Sequence, residues 1–158
     1  MQTLAFSAIE PIERLIKTWL NSRQALIVSL NHLCSFRPFQ ETTDTTQLQE
    51  VLQSFCEQLV DYISFGHFTA FEKMMNITEL SHHPMVRVPQ HLLDSLLQTT
   101  LVALDFNDEA QQGSDLNVLE KKLSHLAEQI AQRLEWEDKL IEKYSFAKAW
   151  ILDIAVSA

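Results

Sequence analysis

Glycine is nearly absent from this chain, with two in 158 residues, alongside four prolines and two cysteines. So little turn chemistry is hard to reconcile with a many-stranded sheet, which needs a turn every few residues. Long helices joined by few loops fit instead. Cys34 and Cys56 lie in apolar helical stretches. They give no disulfide framework and are expected as reduced core residues of a cytoplasmic protein. Cations are also scarce: 12 Lys and Arg face 21 Asp and Glu, for a net charge of −9. That argues against binding phosphate backbones, where affinity comes from cations that release counterions. It keeps the chain soluble and suits a basic protein partner. No apolar run approaches the roughly 20 residues needed to span a bilayer. The N-terminus MQTLAFSAIEPIERL lacks the basic and apolar regions of a signal peptide. There is no phosphate-binding glycine loop, Cys-x-x-Cys pair or nucleophile elbow. No catalytic residue, metal or cofactor is therefore expected.

What is present is hydrophobic periodicity, in a composition that is 46% hydrophobic. The expectation is a single all-α domain over residues 1–158, an antiparallel helical bundle of four main long helices. The first runs from about Glu10 to Phe36, with a capping box at Ser7 and Glu10 and with Pro11 in its first turn. Its stripe is Ile12, Ile16, Trp19, Leu20, Leu26, Ile27, Leu30 and Leu33. After a loop over residues 37–46, Thr46 and Gln49 form a second capping box. The second helix turns Leu48, Val51, Leu52, Phe55, Leu59, Tyr62 and Ile63 to one side and is kinked near Gly66. It resumes through Phe68, Phe71 and Met75. Pro89 opens a third helix presenting Leu92, Leu93, Leu96, Leu97, Leu101 and Leu104. After the loop NDEAQQGSD, Ser114 or Asp115 caps the last helix, whose seam holds Leu119, Leu123, Leu126, Ile130, Leu134, Ile141 and Tyr144. The terminal AWILDIAVSA is expected to dock on the body.

Three charges fall where these patterns ask for apolar residues: Arg23 after Trp19, Glu137 between Leu134 and Ile141, and Glu72 between Phe68 and Met75. A buried charge must be paired or it costs several kcal/mol. The expectation is an internal polar network of Arg23 with Glu137, extended by Glu72 and His67, which fixes helix register. The metal alternative needs a Glu-x-x-His pair on each of two helices. Glu79 and His82 supply one, close to Pro84, whereas His125 and Glu128 run in reverse order. With Leu59, Tyr62 and Ile63 inward, Asp61 points outward, with Glu57, Gln58, Ser64 and Phe65 as neighbours. An acid beside an outward aromatic is a small mixed patch of the kind interfaces use.

The run FCEQLVDYISFGHFTAFEKM around that acid resembles the signature of the Rsd/AlgQ family of anti-sigma regulators, of the form FC-x-x-LVDY-x-S-x-GHF-x-x-x-E. WLNSRQAL at 19–26 and EDKLI at 137–141 are similar to family segments in the same order, while residues 76–130 match only in helical character. The resemblance implies a helical bundle without catalysis that binds the C-terminal domain of the primary sigma factor. That domain is the basic helix-turn-helix reading the −35 promoter element. It implies that Asp61 is the key acidic contact, that Phe65 stands where the family has a small residue, and that the loop SHHPMVRVP is particular to this chain. The implied mechanism is occlusion, with a monomer sequestering one sigma from polymerase and promoter and touching neither nucleic acid nor membrane. The alternatives are a metal-binding helical bundle, or a helical adaptor of the same fold with another protein partner.

Overall fold

The computed structural model describes residues 2–40, 44–113 and 115–157. Four helical rods follow one another: α1 (Gln2–Cys34); α2 (Thr45–Phe65), running through a π-helical turn (Gly66–Ala70) into α3 (Phe71–Ser81); α4 (Gln90–Gln111); and α5 (Leu116–Ser157). A short 3-10 turn, Pro84–Val86, precedes α4. Among the described residues there is no strand.

Side-chain pairs show that neighbouring rods run antiparallel. From α1 to α5, Glu13 meets Tyr144 and Lys148 and Arg23 meets Glu137 and Asp138, and just past the end of α1 Arg37 meets Glu120. From α4 to α5, Leu96 and Thr100 meet Arg133 while Asp105 and Glu109 meet Lys122. The core runs the length of the bundle between these rods, with Trp19, Leu33, Phe55, Leu59, Met74, Leu123 and Leu140 fully enclosed. Burying each such side chain contributes about 1.5–3 kcal/mol, before chain entropy is set against it.

The helix ends depart from expectation. α1 starts at Gln2, so Ser7 and Glu10 lie inside it and do not form a capping box, and Pro11 sits in its interior. Ile9 is buried in register with Ile12 and Ile16, and that burial carries the helix upstream of the proline. α2 is capped by Asp44, whose carboxylate accepts from the N–H groups of Thr46 and Gln47 at 3.1 and 3.2 Å. A charged acceptor beside the positive end of the helix displaces the Thr46–Gln49 box. Residues 41–43 of that loop, and Ser114, lie outside the described residues. Asp115 caps α5, accepting from the Asn117 N–H at 2.7 Å. Pro89 stands just before α4 as its cap residue. The terminal segment continues α5, with Ile151 and Leu152 packed on the core and Trp150 and Ile154 exposed.

Where a kink is expected at Gly66, the structure has a widened turn, in which the Phe71 N–H bonds the Gly66 carbonyl. One extra residue per turn rotates everything beyond it. Ala70, Phe71 and Met74 therefore face inward, whereas Phe68, expected on the inner stripe, is 71% exposed. On α4, Thr99, Thr100 and Ala103 are buried in place of Leu97, Leu101 and Leu104, which are exposed.

Candidate functional site

At mid-height, the four rods meet in a buried polar and aromatic cluster. Glu137 of α5 is completely enclosed. Its Oε1 accepts from Arg23 Nη2 at 3.2 Å and from the Tyr62 hydroxyl, and its Oε2 accepts from Arg133 Nε at 3.0 Å. Arg23 also donates Nε to the Tyr62 oxygen at 3.2 Å and Nη1 to the exposed Asp138 at 2.6 Å. Arg133 reaches the other way: its Nη1 donates to the Leu96 carbonyl and to the Thr99 and Thr100 hydroxyls, at 3.2, 3.0 and 2.8 Å. Trp19 stacks on Tyr62, with centroids 5.8 Å apart, and meets Phe71 edge-on at 5.6 Å. The two guanidiniums lie over Trp19 and Phe71.

Burial raises the affinity of Glu137 for a proton, while Arg133, Tyr62 and Arg23 act against that. Burial, and next the Glu137 charge, pushes the Tyr62 phenol up. Arg23 is held fully cationic: its burial opposes the charge, and Tyr62, Asp138 and Glu137 outweigh it. A rod shifted by one residue would strand one of these enclosed charges.

Of the four residues expected in this network, the structure brings Arg23 and Glu137 together and leaves two outside. Glu72 is exposed, because the widened turn rotates it away from the core. His67 is half-buried against the rings of Phe68 and Phe71, and its Nδ1 has no hydrogen-bond partner. Arg133, 1% exposed and at the centre of the cluster, is missed by the apolar pattern. The signal was available. Among the described residues, the buried positions of α5 are 119, 123, 126, 130, 133, 137, 140, 144 and 147, a strict alternation of four and three. A heptad read through from Leu119 places Arg133 and Glu137 in successive seam positions.

The outer face of α2 carries the expected docking residues. Asp61 is exposed and makes no hydrogen bond or ion pair among the described residues. Glu57 is exposed and accepts from Gln53 at 3.2 Å. Gln58 and Ser64 are half-buried, and the Gln58 Oε1 is enclosed. Phe65, expected to stand outward beside Asp61, packs against the core instead. The aromatic presented on this stretch is Phe68. Glu79 and His82 are exposed at the end of α3, and no group of three or more His, Cys, Asp or Glu is placed to hold a metal ion among the described residues. No helix in this range is long and apolar enough to cross a membrane.

Fold and site together define an all-helical protein with a sealed polar core and an acidic, aromatic-edged outer face. Residues 5–145 match the family described as Regulator of RNA polymerase sigma(70) subunit, Rsd/AlgQ, and the chain belongs to that family. It is similar to the Regulator of sigma D of Pectobacterium carotovorum subsp. carotovorum, with 32% identity over 131 residues, covering 80% of this chain and 85% of the relative. The Regulator of sigma D of Sodalis glossinidius is 31% identical over 136 residues, covering 82% and 86%. That of Pectobacterium atrosepticum is 29% identical over 133 residues, covering 82% and 86%. No solved structure matches.

Proposed function

We propose that this chain is a cytoplasmic, monomeric, single-domain anti-sigma regulator. It binds the C-terminal domain of the primary sigma factor and sequesters it from RNA polymerase and promoter DNA. The observation that carries this is Asp61: an exposed acid, free of internal partners, on a helix whose exposed aromatic, Phe68, follows seven residues on. A protein of net charge −9 presenting such a face is complementary to a basic DNA-reading surface. Membership of a family described as regulating the sigma(70) subunit supports the same partner.

Sequestration is stoichiometric occlusion. It needs shape and charge at a surface, with no reacting group and no direct contact with nucleic acid or membrane. The internal cluster serves it indirectly by holding α2 rigid, so that Asp61 is presented without ordering cost at binding. The test is calorimetric titration with the C-terminal domain of the organism's own primary sigma factor at two salt concentrations. One-to-one binding that weakens with salt is expected. Absence of binding at micromolar concentrations would overturn the proposal.

A further inference from the structure

The opposite electrostatic character is found where the 3-10 turn and the start of α4 lie against α5. A groove of about 340 Å³ opens there, floored by Met85, Leu92, Trp136 and Phe146. It lies within the size range of pockets that take ligands. Met85 and Phe146 are largely exposed. The apolar strip continues past the groove, because the His83 ring packs on both Phe146 and Trp150, at 5.3 and 4.5 Å between centroids. His83 also accepts from the Met85 N–H at 3.2 Å, which ties the turn to this strip.

The rim carries Lys139 and Lys143 against one acid, Glu142. Elsewhere Arg14, Arg23, Arg37, Lys122, Arg133 and Lys148 each close on a carboxylate, while among the described residues Lys17, Lys73 and Lys121 stand singly, away from the groove. Lys139 closes on none among the described residues, and Lys143 is held only by the Met85 carbonyl at 3.1 Å. Arg87, likewise unpaired, lines the adjoining hollow. In a chain with so large an excess of acid, cations left without partners around an apolar groove mark a surface complementary to negative charge.

We propose that this groove is a second docking site, for an acidic peptide segment of a partner protein. The segment seats a bulky apolar side chain on Trp136 and Phe146 and sets flanking carboxylates against Lys139 and Lys143. Its charge preference is the reverse of that of the Asp61 face, so the two sites take different partner surfaces, and this one stands whether or not sigma binds at the other.

The probe is a phage-displayed library of short random peptides, selected on the full chain. Lys139→Glu and Phe146→Ala serve as comparison variants. Both side chains are exposed; Lys139 holds no helix end or turn, and Phe146 touches the turn through the His83 ring, which Trp150 also packs against. Enrichment of sequences with Asp and Glu around Leu, Phe or Trp is expected. A fluorescein-labelled enriched peptide should lose at least about tenfold in affinity in each variant, and should weaken with salt. Should a variant lose its helical circular dichroism, Lys139→Ala replaces it. No enrichment, enrichment of neutral or basic peptides, or equal binding by the variants would overturn the proposal. So would a concentration-dependent dimer that Lys139→Glu dissociates, since a second copy would then cover the groove.

Discussion

Arg133 stands one turn before Glu137 on α5 and donates to it at 3.0 Å, both side chains sealed from solvent. Glu137 also holds Arg23, so one carboxylate neutralises cations from two rods. Removing it strands Arg133, while Arg23 keeps Asp138. Glu137→Ala should lose about 3–5 kcal/mol of unfolding free energy in urea titration, the scale for breaking a buried pair. Arg133→Met should cost a similar amount, and the double variant Arg133→Met/Glu137→Leu much less than the two together. Arg23→Ala should cost less, about 1–3 kcal/mol, since Arg23 is partly solvated. An unchanged melting temperature for Arg23→Ala would remove it from the network.

At Gly66 the backbone of the widened turn lies against this cluster. A Cβ there would lie 3.1 Å from Trp19 Nε1 and 3.5 Å from Arg133 Nη2. Alanine is the better helix former by about 1 kcal/mol. Trp19 cannot give way, because it is fully enclosed between Tyr62 and Phe71. Crowding should therefore win, and Gly66→Ala should be destabilised by about 1–2 kcal/mol in a urea melt. A stabilised variant would mean that the indole has room to shift.

The rods were legible because a 3.6-residue apolar period over long stretches admits few other folds. Arg23 and Glu137 were legible because a charge inside an apolar stripe must find a partner. Arg133 was missed by counting only apolar residues, which skips a seam position filled by a polar one. The fate of Phe65 and Phe68 was not legible, because the change in hydrogen-bond register at Gly66 leaves no mark in composition. The same holds for α4. Its leucines outnumber its threonines, yet Thr99 and Thr100 face inward because Arg133 needs their oxygens.

Asp61 and Phe68 separate binding from folding. Both are exposed and neither packs in the core, so Asp61→Arg and Phe68→Ser should each change stability by no more than about 0.5 kcal/mol. Titration of the sigma domain should show at least about tenfold weaker binding for Asp61→Arg, and a loss of its salt dependence. Phe68→Ser should weaken binding while keeping the salt dependence. If Asp61→Arg binds as the parent does, the docking face lies elsewhere on the molecule.

The chain has only two tyrosines, and both are tied into polar contacts between rods. Tyr62 donates to Glu137, and Tyr144 donates to Glu13 at 3.0 Å. Burial pushes both phenols up, reinforced for Tyr62 by the charge of Glu137 and for Tyr144 by its bond to Glu13. A phenol whose affinity for its proton is higher in the fold than in the unfolded chain stabilises the fold fully below the unfolded value. That contribution is lost as pH rises through the folded one. The loss therefore begins near pH 10, where an unfolded tyrosine ionises. The Cys56 thiol, pushed up to about 11 by burial and then by Glu57, adds to the loss at somewhat lower pH. In an alkaline titration, tyrosinate absorbance should rise late and together with the loss of helical circular dichroism, as one cooperative step. Tyr144→Phe should leave a single tyrosine that still ionises only with unfolding. If tyrosinate forms near pH 10 while the helices persist, the phenols are not held as the structure shows.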